Sequence, residues 1–180
     1  MSFDISVFEF IHNLVGSSSL LDIVGIFFAS YLPYFILIGL FVAFMLEADW
    51  RRRIYSVLYV SLSILISRGI FIPLLNLIFP RERPFQFFGF EPLVSSPSTT
   101  SFPSGHTAVF FAVATAVFFL RYKWGIALFV AAFFIGVARI FVGVHWPTDI
   151  LGGILVGLVS GLLVSEILIR FDKKKPVETL

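Results

Sequence analysis

The sequence has no cysteine, which excludes disulfides, thiolate metal sites and thiol catalysis. It is also short of charge: 13% of its 180 residues are Asp, Glu, Lys or Arg, where a soluble domain carries about 25%. The net charge is only +2, and no nucleic-acid partner is expected. No polar linker divides the chain, so one domain over residues 1–180 is expected. The N-terminus lacks the basic start and the small-residue cleavage site of a signal peptide. What fills the chain instead is apolar: 58% of residues are hydrophobic, 24 are Phe, and the mean hydropathy is +0.99. Several runs reach the roughly 20 residues that a membrane-crossing helix needs. The expected fold is all-α, an integral membrane helical bundle.

Hydropathy marks five transmembrane spans, at Ile23–Leu46, Ile54–Phe79, Ser104–Leu120, Trp124–Val144 and Ile150–Ile169. Residues 1–19 differ. Phe3, Val7, Phe10, Ile11, Leu14 and Val15 recur at helical spacing, with Asp4, Glu9, His12 and Asn13 between them. That pattern predicts an amphipathic helix lying in the interface, with Asp4 and His12 on its polar face, and brings the total to six helices. Basic residues fall between spans one and two (Arg51-Arg52-Arg53), between spans three and four (Arg121, Lys123) and after span five (Arg170, Lys173-Lys174-Lys175). With five spans these all lie on one side, which the positive-inside rule makes cytoplasmic, residues 171–180 forming a cytoplasmic tail. The connections at 80–103 and 145–148 then face outward.

The polar residues inside this apolar chain cluster on that outward side. Pro103-Ser104-Gly105-His106 opens the third span: Ser104 is a good N-cap type, and the free N–H groups of a helix start suit a phosphate oxyanion. Gly105 lets backbone approach a ligand closely. Taken alone, the tetrapeptide is also compatible with an ordinary capped helix. Arg139 ends an apolar run, where a guanidinium is costly unless paired or functional. His145 and Asp149 flank Trp146-Pro147-Thr148, and Pro147 is placed to start the fifth span. Asp149 then comes near the His145 ring, where a carboxylate on one nitrogen fixes the tautomer and leaves the other free to attack. Arg81 and Arg83, before Pro84, offer the forked donors that match phosphate oxygens. Two histidines, a carboxylate and several arginines are the set that phosphoryl transfer through a histidine nucleophile requires.

The ordered series Arg83-Pro84, Pro103-Ser104-Gly105-His106 and Arg139 with His145 and Asp149 resembles the type-2 phosphatidic acid phosphatase superfamily, over roughly residues 76–153. The resemblance implies a lipid phosphatase in which His145 is the nucleophile that forms a phosphohistidine, Asp149 orients it, and His106 protonates the leaving oxygen. It implies that Arg83, Ser104, Gly105 and Arg139 hold the phosphate, with no metal and no cofactor. The family's first motif has a lysine seven residues before the motif arginine, where this chain has Asn76, so Arg81 or the Asn76 amide is expected to take that place. The serine before the third-motif arginine is Ala138 here.

Small size, outward site and relaxed first motif are similar to the branch that dephosphorylates undecaprenyl diphosphate, the lipid carrier of cell-wall assembly. Phosphatidylglycerophosphate, phosphatidic acid and lipid A remain alternative substrates. A transporter of an anion or lipid is an alternative of another class, served by Arg68 inside span two but leaving the paired histidines unexplained. Arg68 is expected either to reach a second phosphate or close the cleft, or to bond to a neighbouring helix. Gly153, Gly157 and Gly161 repeat every fourth residue, as helix-packing contacts do. The partners expected are the lipid substrate and the bilayer; no oligomeric state is assigned.

Overall fold

The computed structural model describes residues 2–95 and 100–172. The expected tail lysines Lys173–Lys175 and residues 96–99 of the polar outer stretch lie outside the described residues. The described chain is helical, without strands: α1 (Ser2–His12), α2 (Ser19–Met45), α3 (Trp50–Ile78), α4 (Pro84–Phe88), α5 (Gly105–Leu120), α6 (Tyr122–Phe141) and α7 (Pro147–Asp172). Of these, 4 are long and apolar enough to cross a membrane, namely α2, α3, α6 and Pro147–Leu168 of α7. Large apolar side chains lie open along them, among them Leu46, Leu77 and Leu155, a surface that water would not tolerate and lipid would cover.

The expected third span is shorter than a full crossing. α5 has 16 residues, about 24 Å of helix against a hydrocarbon core of about 30 Å. It is the centre of the bundle, packed by α3, α6 and α7, and its residues from Phe110 to Val117 are all buried. A helix enclosed all round needs no polar face. The glycine repeat of α7 explains how close the neighbours come: a Cβ at Gly157 would stand 2.5 Å from Ala108 O, and one at Gly153 would stand 2.7 Å from Ser104 O. The repeat is therefore an internal packing seam between α7 and α5.

Both long N-terminal helices carry a π-helical turn, Phe27–Tyr31 in α2 and Leu65–Phe71 in α3. The Leu32 N–H reaches Phe27 O and the Ile72 N–H reaches Ser67 O, one residue further back than in an α-helix. Pro33 and Pro73 follow the two turns. Each lacks an N–H, and its ring crowds the carbonyl four residues earlier, so the widened turn absorbs the conflict.

α1 packs the other way round from the expected amphipathic helix. Asp4 and Phe8 are buried, while Phe3 and Phe10 are 59% and 77% exposed. Asp4, Phe8 and His12, spaced i, i+4, i+8, face the protein. The Phe8 ring lies 4.9 Å from that of His12 and 5.4 Å from Trp146, and His12 Nδ1 is 2.8 Å from Phe141 O. Beside apolar surroundings the polar groups turn inward to find partners and the phenyl rings turn out, which reverses the water-based expectation.

Arg121 closes α5 and pairs with Glu47, and Arg51 and Arg52 line the same recess. The polar motifs gather at the opposite end of α5, around Gly105 and His106.

Candidate active site

Three connections are stitched together around the start of α5. The Ser101 N–H donates to Arg81 O at 2.8 Å, and the Ser104 N–H donates to Asp149 O at 3.0 Å. Trp146 Nε1 donates to Glu82 O at 2.9 Å. α6 ends at Phe141, short of the expected Val144, because Gly143 adopts a φ of +86 and turns the chain. That turn delivers His145 to the inside, and Pro147 then opens α7 as expected.

His145 is 2% exposed and Asp149 fully buried. His145 Nε2 lies 3.4 Å from Arg83 Nη1. A guanidinium only donates, so the imidazole lone pair sits on Nε2 and the proton on Nδ1. Nδ1 points at Asp149 Oδ2, 3.5 Å away, a contact longer than a made hydrogen bond. Asp149 is itself fixed from three sides. Its Oδ2 accepts from the Trp146 N–H at 2.7 Å, as the first-turn carboxylate of a capping box does, and from Ser101 Oγ. Its Oδ1 accepts from Arg81 Nη1 at 2.9 Å. Burial pushes the His145 imidazole down to about 4, with Arg139 and Arg83 adding to the fall and Asp149 opposing it. At neutral pH the ring is uncharged, and Nε2 carries its lone pair beside Arg83.

His145 lines a cavity of about 390 Å³. Arg68, Asn76, Arg83, Gly105, His106 and Arg139 line it with His145, so most of the residues named from sequence meet there. Arg83 is held by Val144 O at 2.7 Å and Thr100 O at 2.9 Å. Burial lowers the Arg83 pKa, partly offset by Asp149, and leaves the group a cation. Arg139 Nη1 donates at 3.4 Å to Ala29 O, the carbonyl crowded by Pro33. Arg139 Nε and Asn76 Oδ1 are buried without a hydrogen-bond partner. Buried polar atoms are rarely left so, and these two belong to side chains that line the cavity. Among the described residues no carboxylate lines it. The lining is cationic and donor-rich, which is the chemistry of an oxyanion site.

Three named residues fall outside it, the first being Asp149, which stands behind His145. Arg81 does not line the cavity and is not placed to replace the missing lysine, because its guanidinium is bound between Asp149 and Asp4. Ser104 is fully buried and also off the cavity wall; its hydroxyl caps α5, accepting from Thr107 Oγ1 at 3.0 Å. The structure adds Ala29, Ser30 and Tyr34 from α2, which no motif marked. The only cue was Pro33, which forces the π turn that carries two of them. Arg68 rides on the other π turn, in one stripe with Ile72 and Asn76 facing the cavity, and has no protein hydrogen bond or ion pair among the described residues.

A family model described as the PAP2 superfamily matches residues 56–172, which hold all the motif residues. Bacitracin transport permease protein BcrC of Bacillus licheniformis is 32% identical over 162 residues, covering 89% of this chain and 78% of that protein. Undecaprenyl-diphosphatase BcrC of Bacillus subtilis (strain 168) is 31% identical over 158 residues, covering 87% of this chain and 80% of that protein. The crystal structure of Aquifex aeolicus LpxE is similar with a TM-score of 0.74 at 28% identity, covering 92% of this chain and 96% of that one. Sequence motifs, fold and family match agree, and the chain belongs to the PAP2 superfamily.

Proposed function

We propose that this integral membrane protein is a lipid phosphatase that works through a phosphohistidine at the extracytoplasmic face, with undecaprenyl diphosphate as its substrate. The observation that carries the reading is a neutral His145, with its Nε2 beside Arg83, on the wall of a cavity lined by three arginines and a second histidine and, among the described residues, no carboxylate. In the first step Nε2 attacks phosphorus, the bond to the leaving oxygen breaks, and His106, which takes up a proton when the phosphate anion enters beside it, gives that proton to the oxygen. In the second, water attacks the phosphohistidine, His106 takes a proton from the water, and the P–N bond breaks to release orthophosphate. Arg83 and Arg139 hold the equatorial oxygens with the backbone at Gly105, and Asn76 contributes its amide.

Arg68 favours a diphosphate. It stands on the cavity wall, with its Nη1 3.4 Å from the place of a Gly105 Cβ, and an unpaired guanidinium at membrane depth is built for an anion. A cavity of about 390 Å³ holds a headgroup and leaves the prenyl chain in the bilayer. The outward orientation is supported by the separation of the cavity from the Arg51, Arg52 and Arg121 end of the bundle, with α5 completing a fifth span between them.

Phosphate release from undecaprenyl diphosphate, phosphatidylglycerophosphate, phosphatidic acid and lipid A by purified protein in detergent tests the reading. The diphosphate is expected to turn over fastest, and His145→Ala to be inactive on all four. The printed name of the B. licheniformis relative speaks of transport. Substrate movement across vesicles by an enzyme lacking phosphate release would favour that second reading.

A further inference from the structure

Asp4, Arg81 and Asp149 form an unbroken ionic chain for which the proposed chemistry has no direct use. Arg81 Nη2 donates to Asp4 Oδ2 at 2.7 Å, and Arg81 Nη1 donates to Asp149 Oδ1 at 2.9 Å. Thr148 closes the circuit. Its Oγ1 accepts from Arg81 Nη1 at 2.6 Å and donates to Asp4 Oδ2 at 2.8 Å. The Thr148 N–H donates to Asp4 Oδ1 at 2.9 Å. A carboxylate from α1 thus satisfies an orphan N–H in the first turn of α7, where the helix dipole also favours it. Burial alone would raise the Asp4 pKa, but the bonds from Arg81 and Thr148 outweigh it and hold the carboxyl below the usual range. The Trp146 ring lies 5.2 Å from the Arg81 guanidinium and limits its movement.

The consequence falls on Asp149. Ser101 and Trp146 bind only Oδ2, the oxygen that faces His145, whereas Arg81 binds Oδ1. Removing Arg81 leaves Oδ1 unheld, so the carboxylate pivots on its two bonds at Oδ2 and its approach to His145 Nδ1 loosens. Asp4 acts one step further back, because it prevents Arg81 from swinging off Asp149. We propose that Asp4 and Arg81 are positioning residues: α1 steadies the His145 imidazole through Arg81 and Asp149. The inference rests on the phosphatase reading of the same site.

Steady-state phosphate release by Asp4→Asn, Arg81→Gln, Arg81→Lys and the double variant Asp4→Asn/Arg81→Gln tests it, each first checked for a wild-type elution profile. A misplaced reacting group costs on the order of 100-fold in rate. Arg81→Gln is expected to lower kcat by about 100-fold and Asp4→Asn by about 10-fold, with KM within about threefold of wild type. Arg81→Lys, which keeps a cation between the carboxylates, recovers most of the rate. The double variant is expected to be no slower than Arg81→Gln, since Asp4 works through Arg81. Folded single variants with wild-type kcat, losses confined to KM, or losses that multiply in the double variant would each overturn the inference. Wild-type protein that releases no phosphate from any lipid would overturn the phosphatase reading, and this inference with it.

Discussion

Asp149→Asn is the most exacting perturbation, because the substitution keeps the shape and removes only the charge. Four donors surround the Asp149 carboxylate: Arg81 on Oδ1, and Ser101, the Trp146 N–H and the His145 Nδ1 proton toward Oδ2. An asparagine has one acceptor oxygen, so its NH₂ must face either the guanidinium or the other three donors. If the oxygen keeps Oδ2, two donors meet at Arg81, and because that side chain is 23% exposed and keeps Asp4, the cost falls below the roughly 3–5 kcal/mol of a fully buried pair. If the oxygen turns to Arg81, the NH₂ donates toward His145 and draws the imidazole proton to Nε2, the atom that must attack. The wrong tautomer has cost about 10⁴-fold in a His–Asp pair of another enzyme class. Asp149→Asn is therefore expected to lose about 10³–10⁴ in kcat, with a lower thermal midpoint in detergent. Phosphate release measured with enough enzyme to detect one part in 10⁵ resolves the range. A folded variant within about tenfold of wild type would refute the tautomer argument.

Arg68→Leu is expected to slow hydrolysis of prenyl diphosphate at least about tenfold while leaving a monophosphate nearly unchanged; equal losses on both would remove the second-phosphate role. Gly157→Ala places a Cβ 2.5 Å from Ala108 O, a backbone atom that cannot step aside, and is expected to destabilise the bundle by about 1–3 kcal/mol in a thermal-unfolding series. His145 is held neutral by burial, its pKa about 4 against an ordinary 6.5. Its contribution to stability is full above pH 6.5 and declines as pH falls toward about 4, by roughly 3 kcal/mol in all. His145→Gln should flatten that part of the stability–pH curve. Because the chain has no cysteine, single-cysteine labelling in intact cells gives a clean readout of orientation: Glu91→Cys is expected to react with an impermeant reagent and Lys123→Cys to be protected.

Hydropathy revealed the long helices because a bilayer core leaves little choice of composition over about 20 residues. It misplaced an end where chain geometry decides: α6 stops at Phe141, three residues before the expected limit, because Gly143 turns the backbone, whereas Pro147 marked the start of α7 correctly. His145 and Asp149 were legible as a pair because only four residues separate them, with Pro147 setting Asp149 in the first turn of α7 just behind His145. Arg68 was legible as an exception, since a guanidinium inside an apolar helix asks for a reason. Asp4 and Arg81 were not, because 77 residues separate them and nothing in either neighbourhood signals the other. Asp4 was misread for a physical reason. A carboxylate between Phe3 and Ile5 reads as a water-facing residue under soluble-protein rules, yet in α1 it turns toward the protein, where Arg81 and Thr148 wait. Ala29 and Ser30 carry no chemical label at all, and only the π turn before Pro33 places them at the cavity.

The nitrogen–phosphorus bond itself is the most direct object of measurement. Wild-type protein mixed with radiolabelled prenyl diphosphate and quenched in alkali within the first turnover should retain label that is stable to base, lost in acid, and mapped by peptide sequencing to His145. Label on another residue, or label persisting in His145→Ala, would contradict the account.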